Sequence, residues 1–176
     1  MKKEYIVAMA ILVLAVAFYL NPIEGSENSD ATINYYSQVC TYVNGDLNSC
    51  GHNIVTNAGL NHLKEFLGQG NAGSANASII AVGNGTAPVA GSATLNNEID
   101  DCGFSRPGAT YASIGTGNWS LTHTWTSSCN SEVVNTTALF NDSSGGTMFA
   151  GNSFTSVTLQ ANDQLNVTWT IWVTSS

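Results

Sequence analysis

Basic residues are what this chain has least of. Lys and Arg number 4 in 176 residues, against 12 Asp and Glu, for a net charge of −8. Lys2 and Lys3 precede an apolar leader, so Lys64 and Arg106 are the only bases beyond it. Nucleic-acid binding needs clustered cations to neutralise phosphates, and two scattered ones exclude DNA and RNA as partners. An anionic membrane surface is disfavoured on the same ground. Charged residues make up 9% of the chain, where about a quarter is usual. Asn, Ser and Thr must supply the solubility. Such a surface changes little when carboxylates protonate, which suits acidic surroundings.

Patterns that carry chemistry are equally scarce. The histidines are His52, His62 and His123, and no G-x-S-x-G elbow accompanies them. His123 lies between two Trp on an apolar strand face and reads as a hydrogen-bonded core residue. His62 reads as a helix-surface residue, and nothing marks His52 as a ligand. Glu98, Asp100 and Asp101 offer oxygens to calcium, but they lack the EF-hand spacing and read as a solvated acidic loop. Nothing selects a carboxylate pair for glycoside hydrolysis. The expectation is a protein that is not an enzyme and has no cofactor and no metal.

What is present begins with the leader. Tyr5 to Leu20 is an unbroken apolar run of 16 residues, stopped by Asn21-Pro22. A basic start, a short apolar stretch and small residues beyond it are the parts of a secretory signal. The run is short for a span that needs about 20 residues. The alternative is a retained N-terminal helix that anchors in a membrane or packs in a filament. Residues 1–25 therefore read as signal or retained helix, and 26–176 as one extracellular domain. On the signal reading the mature chain begins between Asn21 and Asn34. Membrane contact is expected only through the N-terminal segment, if it is retained.

Four cysteines without C-x-x-C spacing suggest neither zinc nor a redox motif, and in an exported chain they suggest disulfides. A hairpin with Asn44-Gly45-Asp46 as a three-residue loop makes Val43 face Leu47 and Cys40 face Cys50. Cys102–Cys129 follows by elimination.

Ile33 to Val43 is strand-like, with large side chains on both faces. Thr56 to Leu67 is the one helix expected outside the leader. Thr56 or Asn57 caps it, and Leu60, Leu63, Phe66 and Leu67 cluster on one side. Gln69 to Ala77 reads as a loop. Strands follow at Ser78 to Val82, Tyr111 to Ile114, Trp119 to Trp125, Val133 to Phe140, Thr147 to Ala150, Phe154 to Leu159 and Gln164 to Thr174. The last alternates cleanly, with Leu165, Val167, Trp169, Ile171 and Val173 on one face. Short alternating strands between turns predict an all-β fold. The expectation is a β-sandwich, Ig-like or jelly-roll-like, with one short helix and a preceding hydrophobic leader helix.

Six N-x-S/T sequons, at Asn76, Asn84, Asn118, Asn135, Asn141 and Asn166, could accept glycans in an exported chain. Asn118 and Asn166 share the parity of polar strand faces, and Asn84 and Asn141 fall at turns. These four are expected to be exposed. Trp172 breaks the polar face of the last strand. It reads either as covered by another layer or as a contact to a neighbour.

Several strings have a familiar order: Val55-Thr-Asn-Ala-Gly-Leu60, Ala81-Val-Gly-Asn-Gly-Thr-Ala-Pro88, Leu95-Asn-Asn-Glu-Ile99, Thr137-Ala-Leu-Phe-Asn141, Ser144-Gly-Gly-Thr-Met148 and Asp163-Gln-Leu-Asn-Val-Thr-Trp169. From Ile54 to Val173 the chain resembles a β-rich domain of tail-fibre-like proteins of prokaryotic viruses and their cellular relatives. The resemblance implies a structural or attachment role. A virion tail protein needs no signal peptide, so the leader moves this expectation to a cell-surface filament or adhesin. The partners expected are further copies of the chain, or else a surface glycan or cell ligand. Ile33, Tyr35 and Val39 on one face of the first strand, Tyr36 on the other, and Trp172 are the expected interface. There the segment from Asp30 to Val39 either pairs with the next subunit or completes its own domain.

Overall fold

The structure is a computed structural model that describes residues 33–68 and 76–175. The leader, its exit and most of the Gln69–Ala77 loop lie outside these residues. The described residues are mostly β, in two antiparallel sheets with one short helix. No helix among them is long and apolar enough to cross a membrane.

The first sheet has the order β2-β1-β9-β6-β5. Its strands are β1 (Ile33–Val43), β2 (Asp46–His52), β5 (Thr110–Gly115), β6 (Asn118–Thr126) and β9 (Gln164–Ser175). The second has the order β3-β8-β7-β4. Its strands are β3 (Ile54–Val55), β4 (Ile79–Gly83), β7 (Glu132–Phe140) and β8 (Met148–Leu159). Inner-face residues of both sheets share one core, including Val39, Leu121, Trp169, Ile80 and Leu139. Alternation explains the first sheet. Leu165, Val167, Trp169 and Ile171 are buried, while Asn166, Thr168 and Thr170 lie half-buried on the other face. Val173 continues the apolar parity but is exposed.

The second sheet is covered on both faces around residues 80–83, 136–140 and 148–152, while residues 153–158 of β8 and Val133 of β7 are exposed or half-buried. A second cluster of Ala81, Leu95, Ala138, Phe140 and Met148 lies on its outer side. The loop after β4 supplies Leu95, and Pro88 from the same loop packs where Gly151 has no side chain. A Cβ at Gly151 would meet Pro88 Cβ at 2.6 Å. This contact explains why β8 runs unbroken from Met148 to Leu159 where two strands were expected. Gly151-Asn152-Ser153 has turn composition, but Gly151 pairs with Ala138 and Asn152 with Thr137. The irregularities of this pair lie elsewhere, between Val134 and Thr136 and between Leu139 and Phe140.

Two local expectations need correction. The β1–β2 connection is a two-residue Asn44-Gly45 turn, with φ of 50° and 89°. Val43 pairs with Asp46 and Tyr42 with Leu47. One unpaired residue, Asn48, restores the register, so Cys40 still faces Cys50. Asn-Gly suits this turn because both central residues need positive φ.

The helix α1 (Asn57–Gly68) is capped by Thr56, whose Oγ1 accepts from Gly59 N at 2.9 Å. Its contact with β8 runs through Gly59, where a Cβ would lie 2.1 Å from Phe149 O. His62, expected at the surface, is half-buried edge-on to the Phe149 ring. Most of the apolar stripe consequently faces away from the sheet: Leu60, Phe66 and Leu67 are exposed and Leu63 is half-buried.

Candidate functional site

Both disulfides are formed. Cys40 and Cys50 bridge adjacent strands with Cα atoms 4.1 Å apart. Cys102–Cys129 ties the loop before β5 to the β6–β7 loop, with Cα atoms 5.3 Å apart. Closing these loops constrains the unfolded chain.

Arg106 organises the loops around Phe140. Its Nε and Nη2 donate to the two carboxylate oxygens of Glu98, the second at 2.6 Å. Its Nη1 donates to the carbonyls of Gly145 and Asp142 at 2.5 and 3.3 Å. Its guanidinium lies 3.7 Å from the Phe140 ring centroid. The fork geometry of Arg permits all of these at once. Glu98 is therefore an ion-pair partner and not part of a solvated acidic loop or a calcium site. Asp101, Cys102 and Glu132 also converge, but the Cys102 sulfur is committed to its disulfide and cannot bind a metal. Sequence reasoning missed Arg106. Its only signal was being one of two bases in an acidic domain.

The histidines are dispersed over β2, α1 and β6. The His52 Nδ1 contacts the Ser37 carbonyl at 3.3 Å. Because a carbonyl only accepts, that nitrogen carries the proton. His123 is half-buried and lies edge-on to Trp125, 4.6 Å between ring centroids. Burial lowers its pKa. Aromatic packing thus takes the place of the hydrogen-bonded core setting expected for it.

The strand edges separate into covered and bare. β4 is covered outside by backbone bridges to Glu98 and Gly108. β3 is two residues long. β2 is tied back to β8 by the Asn48 Nδ2 bond to Thr155 O at 2.8 Å. By contrast, all six residues of β5 are exposed. Tyr111 is 63% and Ile114 56% accessible, and β5 carries no charge and no Pro. Natural edges are protected by charges, Pro, bulges or covering segments. β5 pairs with β6 on one side, with a register irregularity between Ser113 and Gly115 near its end, and its other edge has no strand beside it among the described residues.

The expected interface residues separate in the same way. Ile33 to Val43 pairs along its whole length with β9, from Ile33↔Ser175 to Val43↔Leu165. The segment from Ile33 onward therefore completes its own sheet, and Asp30 to Thr32 lies outside the described residues. Val39 is buried in the shared core and Tyr35 packs against it. Burial pushes the Tyr35 hydroxyl up to about 12, with a smaller downward pull from Ser37. The Ser37 hydroxyl donates to Asn53 Oδ1, and Tyr35 Oη has no hydrogen-bond partner among the described residues. We therefore ascribe the pull of Ser37 to proximity. Ile33 and Tyr36 are exposed, and half-buried Trp172 lies directly across from Tyr36.

Of the sequons, Asn76 and Asn84 are exposed, while Asn118, Asn135, Asn141 and Asn166 are half-buried. Asn118, Asn141 and Asn166 are thus less open than strand parity and turn position implied. The neighbouring strand crowds a residue even on an open sheet face. Asn141 Oδ1 accepts from Thr147 N at 2.6 Å and shapes its turn. Asn118 and Asn135 have a buried Oδ1 without a partner among the described residues. Asn166 Nδ2 donates to Thr124 Oγ1 at 2.8 Å, and Thr168 Oγ1 donates to Asn166 Oδ1 at 3.1 Å. No protein-family model matches the chain, and no curated protein matches it.

Proposed function

We propose that the chain is a secreted, glycosylated structural subunit of a cell-surface filament or adhesive layer, assembling by strand pairing between subunits. The observation that carries the reading is the bare, uncharged edge of β5. The edge leaves backbone donors and acceptors available to a neighbour. The paired disulfides support an oxidising, extracellular compartment. Residues 1–25 act as signal or retained helix, and the rest is an extracellular domain. Its two sheets around one core support a β-sandwich of Ig-like or jelly-roll-like kind. The scattered histidines and the paired Glu98 support a role other than catalysis.

The test is light scattering and electron microscopy of the mature protein and its Ala112→Lys variant. A lysine on an exposed edge opposes pairing and leaves the core untouched. The expected outcome is association of the unaltered protein, weakened at least about tenfold by the substitution. A protein that stays monomeric at high concentration, or a variant that assembles equally well, sinks the proposal.

The second reading is an anchored monomeric adhesin or carbohydrate-binding module. It is favoured by the aromatic side chains of Tyr36, Tyr42 and Trp172 among amides and hydroxyls on the outer face of the first sheet. Saccharide-array binding by a protein that does not associate selects this reading.

A further inference from the structure

Two of the sequon asparagines lie directly across a strand pair from an aromatic residue. Asn166 on β9 faces Tyr42 on β1, and Asn118 on β6 faces Trp172 on β9. Directly opposed residues project to the same face with Cβ atoms about 4.5–5.5 Å apart. Apart from Tyr36 and the Cys40–Cys50 disulfide, the outer face around these pairs is largely Thr, Ser, Asn and Gln, so Tyr42 and Trp172 stand out there as aromatics.

The Asn166 pair borders a cavity. Tyr42, Gly45, Thr124, Gln164 and Asn166 line a surface hollow of about 340 Å³. This is at the small end of small-molecule sites, which combine an aromatic wall with a few orienting polar groups. Gly45 has no Cβ, and nothing lies within 4 Å of where one would be. The surrounding turns are held firmly. Asn44 Nδ2 donates to Asp163 Oδ1 at 2.9 Å, and Asn44 Oδ1 accepts from Gln164 N at 2.8 Å. Asn166 itself is oriented from both ends of its amide, by Thr124 and by Thr168. Its Nδ2 carries two protons. The bond to Thr124 uses one and leaves one for substitution.

We infer that this hollow is a sugar subsite, and that its occupant is the first pyranose of a glycan carried by Asn166, laid against the Tyr42 ring. The inference rests on the proposed glycosylation of this domain. Transfer forms a bond from Asn166 Nδ2 to the sugar C1 and breaks the C1–oxygen bond of a lipid-linked oligosaccharide. The displaced amide proton leaves with the phosphate group. The apolar C–H face of the pyranose then covers the aromatic ring, while Gln164 and Thr124 meet its hydroxyls. Trp172 opposite Asn118 repeats the pairing, which gives the unexpected aromatic on the polar face a role.

The test compares melting temperatures of protein from its native source, with glycopeptide mass spectrometry of Asn166 on each sample. Thr168→Val removes the sequon and leaves Asn166 in place. With Tyr42 present, the glycan is expected to raise Tm by about 2–4 °C. Tyr42→Phe keeps that difference because it keeps the ring. Tyr42→Leu loses it while preserving apolar bulk. An occupied Asn166 whose effect on Tm is unchanged in the Tyr42→Leu variant overturns the inference and leaves glycosylation standing. A bare Asn166 overturns glycosylation at this site together with its glycan as occupant. The bare protein is then titrated with N-acetylglucosamine while the Tyr42 ring protons are followed by NMR. Shifts that saturate support a sugar subsite filled from an external glycan, and unmoved resonances overturn the subsite altogether.

Discussion

The two sheets solve the same problem in opposite ways. The five-stranded sheet buries one face and leaves the other to Thr, Asn and Gln, with aromatics interspersed. The four-stranded sheet buries both over the half nearest β4, and opens to solvent at residues 153–158 of β8. Ile80, Ala81 and Val82 on β4 and Thr136 to Phe140 on β7 are buried without alternation. A sheet wetted on one side writes itself into the sequence with a period of two, while a sheet covered on both sides reads as a continuous apolar run. Substitution tolerance should differ accordingly, and the loop after β4 should matter as much as a strand.

The sharpest way to break that contrast is to truncate matched outer-face residues. Phe140→Ala removes a ring packed beneath Arg106 and is expected to cost about 3–5 kcal/mol in urea denaturation. Thr170→Ala, on the outer face of the other sheet, is expected to stay within about 0.5 kcal/mol. Equal costs would mean that the covering loop contributes nothing.

Next in size is Arg106→Ala. The Arg106 and Glu98 side chains are 11% and 20% exposed, so the substitution strands a largely buried carboxylate. Thermal unfolding is expected to report a loss of roughly 2–3 kcal/mol, with Arg106→Lys recovering only part of it. A Lys variant as stable as the original would show that charge alone suffices and that the forked geometry is idle.

The smallest effect probes the inner face of the five-stranded sheet. Tyr35 keeps its proton in the folded chain up to about 12. The unfolded chain releases it near 10. The folded state thus holds more protons between these values, and stability present below pH 10 is lost as pH rises through 12. The loss attributable to Tyr35 is at most roughly 2–3 kcal/mol, the span from 10 to 12 at about 1.4 kcal/mol per pH unit, and Tyr35→Phe is expected to remove it from the pH profile. An unchanged profile would mean that Tyr35 is wetted, and that this face is more open than its neighbours.

The sequence disclosed what depends on local periodicity and lost what depends on contacts between distant segments. β9, β6 and β7 alternate or run apolar as their faces require. The cysteine partners followed from counting residues around Asn44-Gly45, even though the turn is shorter than expected and a bulge makes up the difference. β8 was divided at Gly151, because a glycine required by Pro88 looks the same in sequence as one required by a turn. The helix stripe was legible but its direction was not. Gly59 brings the helix backbone onto β8, and no apolar-pattern argument weighs a glycine as a contact. Arg106 and the β5 edge were invisible for a related reason. One needs three segments assembled, and the other is defined by what, among the described residues, fails to lie beside it.

The position of β9 has a consequence for how the domain comes into being. It lies between β1 and β6, yet it is made after both. The contact between Asn44 and Asp163 spans 119 residues of chain. Until β9 emerges, the β1–β2 hairpin can form and be clipped by its disulfide, but β1 and β6 each keep an edge with no partner. Long-range pairings of this kind are slow and leave strands exposed in the meantime. The sheet is closed by insertion at its centre and not by growth at its rim. A chain stalled or clipped before Gln164 would present the open edges of β1 and β6 in addition to that of β5, three instead of one, and would be far more prone to join its neighbours than the finished molecule.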